Sequence, residues 1–155
     1  MQQQKFILAS KSPRRQELLK LMGLDYELVL KEVDESYPDT LPLTEVPLYI
    51  AEKKAHAFDG DAGDAIVITA DTIVLLGNQI LGKPAGLAGA KAMLAQLSGN
   101  MHQVITGVAL LTPRHGMISF TEITNVYFNT LTAEQINFYG EKYQPLDKAG
   151  SYGIQ

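Results

Sequence analysis

The 155-residue chain is predicted to form one α/β domain on a mixed sheet. Three features predict it. A short apolar run passes through a polar link into a capped helix, as a β-to-α unit opens. The run "IVLLGNQIL" carries a hairpin signal at Gly77-Asn78, and two longer β-rich runs are separated only by "TPRHG". Crossover helices and hairpins together require parallel and antiparallel pairs in one sheet.

Lys5 to Ala9 has the composition of a buried strand. Ser12 is placed to cap a helix that begins at Pro13, runs to about Met22 and stops at Gly23. Leu18, Leu19, Leu21 and Met22 are its expected apolar face. Tyr26 to Val33 is the next strand, followed by the acidic "VDES" and a proline-containing loop to about Leu43. "LTEVPLYIAEKKAHAF" has helical spacing, with Leu48, Ile50, Ala51, Ala55 and Phe58 near one face.

Ala65 to Thr69 reads as a central strand that delivers Asp71 and Thr72 at its C-terminal end, where open α/β sheets hold their ligands. Leu87 to Leu97 reads as an alanine-rich helix stopped by Ser98-Gly99. Val104 to Leu111 and Ile118 to Phe128 read as strands. Thr132-Ala-Glu-Gln135 is a capping-box pattern opening a last helix to about Tyr143, and "DKAGSYGIQ" reads as a glycine-rich loop.

Composition narrows the functional classes. Lys and Arg number 13 against 17 Asp and Glu, a net charge of −4 that disfavours a broad nucleic-acid footprint. Without cysteine there is no thiolate nucleophile, disulfide or Cys-ligated zinc, and a reducing cytoplasm is the expected compartment. The amino-terminal apolar run is too short for a signal-peptide core, and no stretch suits a membrane span. His56, His102 and His115 have no zinc-binding spacing, and no Gly-x-Ser-x-Gly elbow occurs. Methionines and aromatics are spaced as core residues.

The chemistry concentrates at four places. In "LASKSPRRQELLKLMG", Arg14 and Arg15 stand in the first turn of a helix, where the dipole favours acidic residues. An anion at the helix N-terminus compensates two such cations, with Ser10 and Ser12 as further donors; the alternative is a simple cap with solvated arginines. Asp71 follows an apolar strand, where an unpaired charge is costly without a cation or substrate beside it; the alternative is a turn cap. Asp34 or Glu35 can join it around one hard cation, the usual holding of Mg²⁺ by one or two carboxylates plus phosphates; the alternative for "VDES" taken alone is a solvated loop. "LGKP" lacks the spacing of a P-loop, yet Lys83 can reach a phosphate from the end of a hairpin strand, and Lys54 can face the same cleft from its helix; the alternative for Lys54 is a solvated helical lysine.

Taken in order, "SKSPRRQELL", "VDES", "TADTIV" with "GKP" after it, and "DKAGSYGIQ" resemble the motifs of the Maf family of nucleoside triphosphate pyrophosphatases, also called septum formation inhibitors. The resemblance spans essentially the whole chain. It implies a cytoplasmic hydrolase that cuts the α–β phosphoanhydride of a nucleoside triphosphate with Mg²⁺ or Mn²⁺. The implied fold is a mixed, strongly bent sheet with flanking helices around a central cleft, like that of the ITP pyrophosphatases, and homodimers are common in such proteins. The implied partner is the nucleotide, with neither nucleic acid nor membrane.

By the same resemblance Asp71 is the implied proton acceptor and Glu35 its metal or catalytic partner. On the reading of the residues themselves, Arg15, Lys54 and Lys83 are expected to clamp the phosphates, Lys83 as a catalytic residue, with Ser10 donating a hydrogen bond. The branch acting on dTTP and UTP has two arginines after Ser-Pro, threonine after the aspartate and glutamine in Gly-Ile-Gln; here these are Arg14, Arg15, Thr72 and Gln155. The branch acting on 7-methyl-GTP has an aromatic residue and a glutamine at the first arginine's and the threonine's places, and this chain departs from it at both. Family members continue past Gly-Ile-Gln, so residues 1–155 are expected to be a single Maf-like domain lacking the usual C-terminal segment. A non-catalytic nucleotide-binding regulator of septum formation is the alternative function.

Overall fold

The computed structural model describes residues 3–153. Six strands and four helices alternate through these residues in the order β1 (Phe6–Leu8), α1 (Pro13–Leu21), β2 (Tyr26–Leu28), α2 (Val46–His56), β3 (Ile66–Leu76), β4 (Gln79–Leu81), α3 (Gly86–Leu97), β5 (Met101–Thr112), β6 (Gly116–Tyr127) and α4 (Ala133–Tyr143). Short 3₁₀ turns occupy Leu43–Glu45 and Ala149–Ser151. The strand order is β2-β1-β3-β5-β6, with β4 paired to β3. β1 runs parallel to both β2 and β3, whereas β3 and β4 are antiparallel, so the sheet is mixed. No helix among the described residues is long and apolar enough to cross a membrane.

The chain forms two compact units, Met1–Asp71 with Thr106–Glu122, and Thr72–Ile105 with Ile123–Gln155. In the first, Ile7, Val67, Ala65 and Phe58 form one apolar cluster, and Ala51, Ala55 and Ala109 form a second. The small side chains of the second cluster allow α2 to lie close to its neighbours. Gly107 of β5 sets the closest approach: a Cβ there would stand 2.4 Å from the backbone nitrogen of Leu48 at the start of α2. Thr69, wholly buried on β3, donates its hydroxyl to the Ala51 carbonyl at 2.6 Å. Helix α2 is thereby fixed in position along β3.

In the second unit, Val74, Leu81 and Leu97 form the core, with Phe128 and Tyr152 packed against it. Helix α3 packs on α4 and on the 149–151 turn. Gly140 lies on the α3–α4 contact, where an added Cβ would meet the Lys91 side chain at 3.2 Å.

The local signals in the sequence are realised. Ser12 caps α1 with Pro13 as its first residue, Gly23 takes a left-handed φ of 73°, and the Thr132–Gln135 capping box closes with both of its hydrogen bonds. Three expectations fail. The second strand stops at Leu28 instead of Val33, because β2 meets only the three-residue β1. On α1 only Leu19 is buried, with Leu18, Met22 and Leu21 exposed, Leu21 at 83%. Several aromatics expected in the core, Phe120, Tyr127, Phe138 and Tyr143 among them, are also exposed.

Gly107→Ala is expected to destabilise the protein by about 2 kcal/mol or more, the scale of overpacking against an unyielding neighbour. Urea unfolding checks it: an unchanged midpoint would mean that the α2–β5 approach tolerates a methyl group.

Candidate functional site

The central acidic residue lies inside a strand. Sequence periodicity ends the strand before Asp71, but β3 continues to Leu76, because its second half pairs with β4 through Val74–Leu81, Leu75–Ile80 and Leu76–Gln79. The parallel pairing with β1 ends at Leu8–Ile68, and the Ala9 N–H adds one bond to the Ile68 carbonyl. Asp71 therefore lies just past the C-terminal end of the parallel part of β3, the position where parallel α/β sheets present functional groups.

Four further side chains of the first unit gather around Asp71. Lys54, on the last turns of α2, places its ammonium 3.4 Å from Asp71 Oδ1, 3.3 Å from Glu35 Oε1 and 3.2 Å from the Ala70 carbonyl. Arg15 donates from Nη1 to the same carbonyl at 3.1 Å and to Ser10 Oγ at 3.3 Å. Ser10 is buried and also accepts the Ser12 N–H at 3.2 Å. Two acceptor positions of its hydroxyl are thus in use, and its remaining capacity is as a donor.

The loop bearing Glu35 has its own support. Asp34 accepts the Ser36 N–H and hydroxyl, both at 2.9 Å, which holds its carboxyl below the usual range. Lys53 donates to the Ser36 carbonyl at 3.0 Å. Of the two acidic residues in "VDES", Asp34 shapes the loop and Glu35 reaches the cluster. Neighbouring lysines on α2 thus serve both jobs, with Lys53 holding the loop and Lys54 holding its acid.

Burial raises the pKa of Asp71, with the Glu35 carboxylate adding to the rise; Lys54 and Arg15 oppose it. Burial likewise lowers the Arg15 guanidinium from its ordinary value, against the attraction of Asp71. The result is a sparsely hydrated carboxylate beside two cations. Glu35 and Asp71 converge on one cationic atom, which suits a divalent cation completed by phosphate oxygens and water. Among the described residues no group of three or more His, Asp or Glu side chains could hold a metal alone.

Ser10, Arg15, Glu35, Lys54 and Asp71 are therefore brought together. Arg14 is exposed on the first turn of α1. Thr72, one residue beyond Asp71, and the exposed Lys83 after β4 belong to the second unit. Gln155 lies outside the described residues. Sequence reading missed the supports: the Ala70 carbonyl, Thr69, Gly107 and Lys53. A hydroxyl and a glycine inside apolar strands were the available signals for Thr69 and Gly107.

The fold is shared with solved structures of Ham1 proteins. That of Staphylococcus aureus superposes with a TM-score of 0.58 at 14% identity, over 80% of this chain and 71% of that one. A sequence comparison then identifies the family: the description "Maf-like protein" matches residues 5–155, and the chain belongs to the Maf family. Among curated relatives, a Bacteroides fragilis protein named dTTP/UTP pyrophosphatase is 51% identical over 153 residues, covering 97% of this chain and 79% of its own length. Proteins of the same name from Phocaeicola vulgatus and Bacillus anthracis are 50% and 46% identical, covering 100% and 97% of this chain and 81% and 78% of their own lengths.

The raised pKa of Asp71 has a consequence for stability. The native state binds this proton more tightly than the unfolded chain does, so ionising Asp71 costs stability as pH rises from its unfolded value towards its native one. Asp71→Asn is therefore expected to be more stable than wild type at neutral pH, with the difference shrinking below about pH 4. Thermal unfolding across pH tests this; a variant less stable than wild type at pH 7 would show that its ion pairs outweigh its burial.

Proposed function

We propose that this protein is a nucleoside triphosphate pyrophosphatase that hydrolyses the α–β phosphoanhydride of dTTP and UTP to the monophosphate and pyrophosphate. The supporting observation is the clustering of Asp71 with Glu35, Lys54, Arg15 and Ser10, in a chain about half identical to relatives bearing that activity in their names.

In this proposal Asp71 orients the attacking water and takes its proton as the water oxygen bonds to the α phosphorus. The bond from that phosphorus to the bridging oxygen breaks, and the electron pair leaves with pyrophosphate. The raised pKa brings Asp71 nearer to neutrality and makes it a stronger base than a solvated aspartate. Arg15, Lys54 and Lys83 bind the phosphates and offset the charge that builds on the leaving group, while the Ser10 hydroxyl and the α1 N-terminus donate hydrogen bonds. Glu35 and Asp71 would hold Mg²⁺ or Mn²⁺, whose chemistry there is to polarise phosphate oxygens. Lys54 already occupies the point between the two carboxylates, and it would then turn from them towards phosphate.

Arg14, Thr72 and Gln155 are assigned to the pyrimidine. The whole chain acts as one Maf-type domain in the cytoplasm, as a homodimer, with the nucleotide as its ligand.

Pyrophosphate release from canonical and modified triphosphates, with Mg²⁺ or Mn²⁺, tests the activity. UTP and dTTP are expected to be the preferred substrates, and nucleotide binding without release would leave a binding protein and no enzyme. Asp71→Asn is expected to lose at least about a hundredfold in kcat, the scale of a lost general base. Arg14→Ala is expected to change the order of nucleotide preference while folding normally; an unaltered order would remove Arg14 from base recognition.

A further inference from the structure

His102 is the one aromatic nitrogen base in the core of the second unit, and the proposed reaction does not use it. The side chain at the start of β5 is 1% exposed. Its Nε2 lies 2.6 Å from Tyr152 Oη, and its Nδ1 has no hydrogen-bond partner among the described residues. Burial lowers the pKa of the ring and so keeps it neutral. An unpaired buried acceptor is more readily tolerated than an orphaned N–H, which assigns the proton to Nε2 and makes His102 the donor to Tyr152. Phe128 stands edge-on to both rings, at 5.1 Å from His102 and 4.9 Å from Tyr152. Such a contact adds geometric preference to burial.

The segment held by this pair is strained. Gly150 and Ser151 both take left-handed φ, 70° and 66°, and Ser151 is fully buried. A non-glycine residue keeps that conformation only where its surroundings impose it. Four contacts do so here: the Gly150 N–H donates to the Gly82 carbonyl at 3.2 Å, Ser151 Oγ donates to Met93 Sδ at 3.1 Å, Tyr152 meets His102, and the Gly153 N–H donates to Tyr139 Oη at 3.1 Å. The first ties the segment to the residue preceding Lys83. The last fixes the backbone from which the chain enters Gly-Ile-Gln.

We propose that the pair of buried His102 and partly buried Tyr152 is a positioning device for nucleotide binding, holding Gly150–Gly153 so that the Gly82–Lys83 turn and Gly153 keep one backbone arrangement. This deepens the pyrophosphatase proposal and rests on it. Neither residue touches the reacting atoms; loss of the pair acts through the Lys83 turn, so it weakens nucleotide affinity first and slows the chemical step only as far as Lys83 contributes to it.

Steady-state hydrolysis of UTP and dTTP, thermal unfolding, and calorimetric binding of α,β-methylene-UTP test the assignment together. Y152F and H102F are expected to raise KM about tenfold with kcat changed less than about threefold, while Y152F keeps a cooperative unfolding transition. H102Q retains an N–H near the position of Nε2 and is expected to recover most of the loss. The double variant H102F/Y152F is expected to be no weaker than either single one, because both remove the same bond. The assignment is overturned if folded Y152F keeps its KM within about twofold of wild type, if kcat falls by as large a factor as KM rises, or if the two substitutions add. Should the wild type bind the analogue but release no pyrophosphate, the proposed activity fails. The positioning role is then read from affinity alone: a roughly tenfold weaker analogue affinity in Y152F supports it, and an equal affinity overturns it.

Discussion

One ammonium group organises the candidate site. Lys54 Nζ meets Glu35, Asp71 and the Ala70 carbonyl, joining the VDES loop, helix α2 and strand β3 at a single atom. The exposed Glu35 carboxylate and the more buried Asp71 carboxylate repel one another, and the ammonium offsets that repulsion. Much of the first unit serves to place that cation. Thr69 fixes α2 along β3, Gly107 permits its close approach to β5, and Ser119 of β6 donates to Glu52 at 2.6 Å.

The site also carries a standing electrostatic cost. Asp71 is desolvated beyond what its neighbours offset, and Arg15 is partly buried with its guanidinium directed at a carbonyl and a serine. A fold selected for stability alone would keep neither charge there. Buried charges left incompletely neutralised suit a ligand of opposite and movable charge, and a triphosphate with its counter-cation is such a ligand. In the second unit the strain takes another form, left-handed backbone at Gly150 and Ser151 held by an aromatic cluster. Electrostatic cost and conformational strain thus fall on residues from three of the four motifs that characterise the chain.

What the sequence by itself determined was local or combinatorial. The Ser12 cap, the Gly77-Asn78 hairpin and the Thr132–Gln135 box depend on residues a few positions apart, so their physics is complete within a short window. Family membership was legible because four short motifs in fixed order are far more specific together than any one alone. The grouping of Ser10, Arg15, Glu35, Lys54 and Asp71 was expected from the chemistry of those residue types, with the resemblance choosing Glu35 over Asp34, and periodicity alone could not have supplied it.

Only the tertiary structure decided which of several similar residues does what. Asp34 and Glu35 are adjacent and chemically alike, but Ser36 and Lys53 engage the first and leave the second to Lys54. β3 runs on through Asp71 because β4 folds back on it, and β2 stops at Leu28 because β1 offers only three residues. Leu21 and Met22 are as apolar as Leu19, but only Leu19 is buried. Each outcome depends on surfaces far apart in the chain, and burial, pairing and charge compensation are properties of those surfaces once they have met.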